Sequence, residues 1–333
     1  MKSALLVVAA IAVLGSACEK PAADELDLVR IAARKHLGGA AIFIADEEGF
    51  FADEGIRLEF AEAPMRSLQA IPLLEQGKLD VLSGSVSAGL FSAPGAGAKL
   101  RMVGDRGHVG GTCDFNGVVG SSRSFSTNEP SGSEVAGKVF SINYAVTAEF
   151  VIEKFLESRG LSQPSVRSAS LSETMEPQAL GSGAIDATHA TEPYISRLKK
   201  EGHRVLGSAR EYAAGAQFGV IVFGPTLTVE NRALGQRFMN AYVRGVRQHA
   251  LGATPRNVEI IASRMGFDQE FLRSACFANM RPDAGLDTAW MMEFQRWSVK
   301  KGYGRSVIPA ERAIDLTFSR KAGAHADSLE SHG

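Results

Sequence analysis

Gln76-Gly77-Lys78-Leu79-Asp80-Val81 closes one α/β unit of this sequence, and Gly183-Ala184-Ile185-Asp186-Ala187 closes another. In each, a glycine ends a helically spaced apolar stretch, and a short apolar run holding an aspartate opens the next element. Working backwards, Gly55-Ile56 lies 22 residues before Gly77, and Gly160-Leu161 lies 23 residues before Gly183. Glycine suits a helix C-terminus because it takes positive φ without a Cβ clash. The first unit predicts strands over 26–33, 56–60 and 80–82, with helices over 40–54 and 65–76. The second predicts strands over 137–142 and 165–170, with helices over 147–158 and 172–181. Strands alternating with helices across short loops imply parallel βαβ units with right-handed crossovers. One unit is thus used twice, about 105 residues apart.

Between the units, 104–133 is rich in Gly and Ser and holds one β-like piece, Asn116 to Gly120. A second candidate crossing, 213–224, contains the strong strand Phe218 to Phe223 (FGVIVF). Beyond it, 229–251, 258–265 and 288–300 have helical spacing, and the chain after Gly323 reads as a polar, frayed tail. The expectation is an α/β protein of two lobes, with two parallel-type sheets, a two-strand hinge and C-terminal helices returning to the first lobe. Lobe 1 is expected from 26–115 and 220–322, and lobe 2 from 116–219.

The N-terminus differs in kind. Lys2 is followed by the wholly apolar run Ala4 to Leu14, then small Gly15, Ser16 and Ala17, then Cys18. This is the layout of a secretory signal peptide over 1–18. Eleven apolar residues rise only ~16 Å as a helix, about half a bilayer core. Small residues before Cys18 resemble a lipoprotein processing site, which would make Cys18 a lipid-bearing N-terminus. Cleavage near Ala17 without lipid is the alternative. Residues 19–25 read as a polar tether. Export places the mature chain in the periplasm or on the outer face of the cytoplasmic membrane.

Composition narrows the classes further. With 36 basic and 37 acidic residues the net charge is -1, and no basic run suits nucleic acid. No Cys/His cluster suggests a metal, and no GxSxG, HExxH, P-loop or GxGxxG is present. No cofactor and no catalytic residue is expected. Cys113 and Cys276 are either disulfide-bonded or free and buried, and an oxidising compartment permits the bond.

The stretch Ile44-Ala45-Asp46-Glu47-Glu48-Gly49-Phe50-Phe51-Ala52-Asp53-Glu54-Gly55-Ile56 resembles a widespread group of ABC-importer substrate-binding proteins. They bind nitrate, taurine, other sulfonates or thiamine-pyrimidine precursors. The Gln76 to Asp80 run and Gly183-Ala184-Ile185-Asp186…Glu192-Pro193 resemble it too, and the likeness covers roughly 26–255. It implies the periplasmic binding protein type II fold, with ligand held between lobes and a permease and ATPase as partners. Carried onto this chain, the pocket loops are 35–39, 83–87, 143–147 and 189–192. Where the group often opens the second-lobe helix with Gly-Ser-Thr, this sequence has Ala145-Val146-Thr147, and its first loop carries His36. Tyr144, which precedes that opening, and His36 would suit a larger, partly planar or polar-organic ligand.

Physics points to the same loops. In open α/β sheets ligands bind beyond the carboxyl ends of strands, where helix N-termini offer unpaired N–H groups. The candidate ligand-binding residues are His36, Gly38, Ser83, Gly84, Ser85, Ser87, Asn143, Tyr144, Thr147, His189 and Glu192. Ser83-Gly84-Ser85 is expected as a turn, with Ser85 or Ser87 capping the following helix. Any one of these hydroxyls serves equally as a helix cap, and Glu192 could hold a ligand amine or simply cap its helix. Convergence of four loops is what argues for a pocket. An exported sensing module is the alternative function. A pyrimidine-precursor synthase-like enzyme would need a reactive Cys/His constellation.

Overall fold

The computed structural model describes residues 26–61 and 67–331. The signal-peptide, Cys18 and tether readings fall on residues 1–25, outside the described residues. The strands are β1 (Asp27–Ala33), β2 (Ile56–Phe60), β3 (Val81–Ser85), β4 (Arg101–His108), β5 (Asn116–Gly120), β6 (Val139–Ser141), β7 (Arg167–Ala169), β8 (Ala187–Thr191), β9 (Arg204–Ser208) and β10 (Gln217–Phe223). The first-half helices are α1 (Ala40–Glu47), α2 (Phe50–Asp53), α3 (Ser67–Glu75) and α4 (Gly89–Gly95). Then come α5 (Gly132–Val135), α6 (Thr147–Ser158), α7 (Glu176–Ser182), α8 (Tyr194–Lys200) and α9 (Ala209–Tyr212). The C-terminal set is α10 (Arg232–Ala250), α11 (Pro255–Met265), α12 (Gln269–Ser274), α13 (Thr288–Lys300) and α14 (Thr317–Glu330).

Two five-stranded sheets result, in the orders β2-β1-β3-β10-β4 and β7-β6-β8-β5-β9. The orders are equivalent. In each sheet the fourth strand is antiparallel to its neighbours, so the sheets are mixed. That odd strand is in both cases the first after a crossing: β5 follows the segment from β4, and β10 follows the segment from β9. A chain arriving from the other lobe runs against the strands that the βαβ units laid down in parallel.

The repeated sequence signature has one structural cause. The Asp80 N–H donates to Arg30 O at 2.9 Å, and its carboxylate accepts from Arg30 N–H at 2.8 Å. In the second lobe the Asp186 N–H donates to Val139 O at 2.7 Å, and its carboxylate accepts from Val139 N–H at 2.7 Å. Each aspartate therefore clamps the first strand of its unit to the third. The glycines before them do what their φ freedom allows: Gly77 and Gly183 sit at φ 62° and 84° where helices end.

Several expected elements move. Ser83-Gly84-Ser85 is not a turn but the end of β3, paired to β10 through Gly219↔Ser85 and Ile221↔Ser83. Gly84 is required there because a Cβ would lie 2.6 Å from Ser67 Oγ. Neither Ser85 nor Ser87 caps α4, whose N-cap position is Ala88, without a side-chain hydrogen bond. The expected crossing over 104–133 begins too early, since β4 runs to His108 and the passage between sheets is 109–115. The second passage, 209–216, holds the one-turn α9. The two passages are joined by Val109 N–H to Ala216 O (2.7 Å) and Gly215 N–H to Val109 O (2.9 Å). Cys113 and Cys276 form a disulfide. Residues 324–330 of the expected tail are helical within α14, where Ala322, Gly323 and Ala326 are buried.

Helix α6 belongs to both lobes. Phe150 and Val151 join the apolar core of the first sheet and its helices, whereas Ile152, Phe155 and Leu156 join that of the second. Phe150 enters edge-on against Trp290 and Trp297 of α13, with ring centroids 5.7 and 5.5 Å apart. Trp297 Nε1–H donates to Glu153 at 2.8 Å, and Tyr303 O–H donates to Glu149 at 2.8 Å.

Candidate functional site

The carboxyl ends of β1, β3, β6 and β8 face one another across a cleft of about 430 Å³, within the range typical of small-molecule pockets. Of the residues anticipated from sequence, His36, Gly84, Ser85, Asn143, Tyr144, Thr147 and His189 line it. Gly38, Ser83, Ser87 and Glu192 do not. Gly38 stands behind His36, where a Cβ would lie 3.3 Å from His36 Nδ1. Ser83 and Ser87 are buried, each with a hydroxyl lacking a protein partner. Glu192 turns away and accepts from Ser196 N–H (3.1 Å) and Ser196 O–H (2.7 Å), so it caps α8. Burial raises its pKa, against the pull of those Ser196 hydrogen bonds.

Contacts between the lobes frame the cleft. His36 Nδ1 accepts from Gly38 N–H at 3.1 Å, which leaves the proton on Nε2 to be donated to Thr191 Oγ1 of the opposite lobe. Burial, followed by the Arg106 charge, lowers the His36 pKa to about 3. His189 is lowered to about 4, again chiefly by burial. Both imidazoles are therefore neutral at neutral pH and can offer polar atoms but no charge. Thr147 closes a second link: its hydroxyl donates to Gln217 O at 2.9 Å and its N–H to Val86 O at 3.2 Å. The first N–H of α6 is thus taken by lobe 1 backbone. The loop before it is strained, with Ala145 at φ 60°.

At the mouth Arg34 meets Glu173 through Nη1–Oε1 at 3.2 Å and Nη2–Oε2 at 2.9 Å. Burial pushes the Glu173 carboxyl up, but Arg34 leads the groups that outweigh this and hold it below its usual value. On the inner wall lies Arg106, buried, with Nε–H donating to Gly84 O at 3.2 Å. Behind it Phe218 stacks on Phe115 at 5.0 Å.

Arg34, Glu173, Arg106, Ser67 and Tyr194 also line the cleft and were not anticipated. Arg34 directly follows β1, one residue before the loop expected to start at Lys35. Glu173 and Ser172 precede α7, whose first turn starts later than the expected helix. Arg106 falls in a Gly-rich segment without strand periodicity, so nothing local marked it. The arrangement offers hydroxyls, amides, neutral imidazoles, one buried cation from the first lobe and one buried carboxylate, Glu176, from the second, the last accepting from Ser141 O–H at 2.8 Å. That set can bind and orient a polar solute.

Residues 38–253 match the family described as NMT1/THI5 like. No curated protein matches the sequence. Among solved structures, the periplasmic aliphatic sulphonate binding protein SsuA from Escherichia coli superposes with a TM-score of 0.69 at 15% identity, over 87% of this chain and 92% of that one. The ligand binding component of an ABC-type import system from Staphylococcus aureus gives 0.69 at 13% identity, over 89% of this chain and 98% of that one. The desulfurization enzyme DSZB gives 0.63 at 14% identity, over 90% of this chain and 99% of that one. At such identities these likenesses establish a periplasmic-binding-protein fold in two lobes. The family match spans well over half the sequence, and the chain belongs to the NMT1/THI5 like family.

Proposed function

We propose that this chain is the extracytoplasmic solute-binding component of an ABC-type importer, holding a small polar or anionic organic molecule between its lobes. One observation carries the reading. Loops from the strand ends of both sheets converge on a single cleft and touch across it through His36–Thr191, Arg34–Glu173 and Thr147–Gln217. A ligand seated there would be contacted from both sides, so binding energy favours the closed arrangement of the lobes. The structural neighbours named as importer components support it.

Export follows from the N-terminal reading, with Cys18 as the lipid-bearing residue tethering the protein to the membrane beside its permease and ATPase. The DSZB likeness raises catalysis as a rival. Against it, the described cysteines are bonded to each other, and no cysteine lines the cleft among the described residues.

A thermal-shift screen of the mature protein against sulfonates, carboxylates, pyrimidines and flavin-like compounds tests the proposal. A true ligand at 100 times its Kd stabilises by about 2.7 kcal/mol. The ligand should be recovered unchanged, and any chemical conversion of it by the protein alone would sink the binding-protein reading.

A further inference from the structure

Arg106 sits in a niche shaped for a guanidinium. It leaves β4 toward the cleft and is 6% exposed. A Cβ on Gly219 would lie 2.7 Å from its Nε and 3.0 Å from its Cζ, so the absence of a side chain there makes room for the planar group. Its Nε–H is used by Gly84 O. Among the described residues no carboxylate pairs with it, and its fork of Nη groups has no protein acceptor. Asp105, next in the chain, points elsewhere: its carboxylate is taken by Gly107 N–H, His108, Gln217 and Arg281. Burial, with Arg34 adding to it, brings the Arg106 pKa down to about 10, so the cation persists at neutral pH.

A buried cation without a counter-ion is costly, and a bidentate oxyanion is the partner that satisfies a guanidinium fork. Two further observations define the rest of the ligand. His189 lines the cleft with a buried Nε2 that lacks a protein partner, so it awaits a polar ligand atom. Leu68 and Tyr144, also lining, expose 48% and 41% of their surface, an apolar shelf facing the same space.

Resting on the solute-binding reading above, we infer that Arg106 selects ligand by charge. The ligand is an organic oxyanion whose head meets the Arg106 fork and whose apolar body lies on Leu68 and Tyr144. The mouth pair Arg34–Glu173 is neutralised internally, and the other carboxylate lining the cleft, Glu176, accepts from Ser141 O–H at 2.8 Å within the second lobe. Arg106 is thus the charge of the first-lobe wall that has no ion-pair partner among the described residues.

The test uses the full mature chain and a panel of aryl and alkyl carboxylates and sulfonates, each matched by its uncharged amide. Calorimetric titration should show at least one anion bound ~10–100-fold more tightly than its amide, the scale of hydrogen bonds to a charged group. Arg106→Gln should cancel that preference while leaving amide binding in place. Arg106→Lys keeps charge but loses the fork, and should fall between. Amides binding as well as anions, or R106Q keeping the preference, overturns the assignment and leaves the solute-binding reading standing. Failure of every panel member on the wild-type chain overturns the oxyanion inference, while the solute-binding reading falls only if the wider screen fails as well. Should R106Q not fold, R106K decides: loss confined to the anions supports the inference, and equal loss for anions and amides refutes it.

Discussion

Arg34 and Glu173 stand 139 positions apart in the chain and meet end-on across the mouth of the cleft, two nitrogens against two oxygens. Their side chains are 36% and 37% exposed, so water screens the pair. A double-mutant cycle with Arg34→Ala and Glu173→Ala should give a coupling of about 0.5 kcal/mol, fading as salt is raised. The pair acts as a positional latch, and its loss should raise the radius of gyration in solution scattering more than it lowers stability. A coupling of zero at low salt would remove the latch.

Asp80 and Asp186 make equivalent clamps, so they should fail alike. Asp80→Ala leaves the Arg30 N–H without its acceptor, and Asp186→Ala does the same to Val139. Each should cost about 2 kcal/mol in urea unfolding, the scale of an orphaned buried donor bonded to a charge. Asp80 also binds the Arg30 guanidinium, but that group is partly exposed and rehydrates. A difference beyond about 1 kcal/mol between the two variants would argue that the repeat is not energetically equivalent.

His249 supplies a pH dependence that is independent of the cleft. It is 1% exposed, and neither ring nitrogen has a protein partner. Burial lowers its pKa to about 4, with Asp105 opposing. The unfolded chain takes up this proton near pH 6.5 while the native chain refuses it until about pH 4. Stability is therefore complete above about pH 6.5 and falls as pH drops toward 4, by about 3 kcal/mol from this residue. His36 and His189 add in the same direction. His249→Leu should flatten the melting curve over that window, and an unchanged pH profile would show that His249 is not the cause.

The Cys113–Cys276 bond spans 163 residues. Cys113→Ser with Cys276→Ser, or the wild-type chain held in reductant, should be less stable than the oxidised wild-type chain by about 2–5 kcal/mol in calorimetry. Cys113 lies in the first passage between lobes, so the loss should be accompanied by faster amide exchange over 109–115. Unchanged exchange there would confine the bond's effect to the unfolded chain.

The twofold α/β unit was legible because its determinants are local. Gly55, Gly77, Gly160 and Gly183 mark helix ends by φ, and each aspartate binds the first strand of its own unit. β4 was not legible. Its sequence RMVGDRGH carries charges and glycines in a fully covered strand. Only distant partners make this tolerable: Gln217 and Arg281 for Asp105, and the facing β10, whose pairing with β4 is irregular. Arg106 was lost with it. Glu192 misled for the opposite reason, since a carboxylate four residues before Ser196 serves a helix start as readily as a ligand. The α14 tail is rich in small residues, so its burial against α10 left no strong apolar stripe to read.

Phe150 is carried by α6, whose Ile152, Phe155 and Leu156 sit in the second core, yet its ring is plugged into a socket of Trp290, Phe294 and Trp297 in the first. A rotation that parts the halves must either draw this ring out into water, at roughly 2 kcal/mol, or drag α6 along and deform the second core. Under the proposed solute-binding role, this ring is a stop on any swing of the lobes, and the rate of ligand release should depend on how easily it is uncorked.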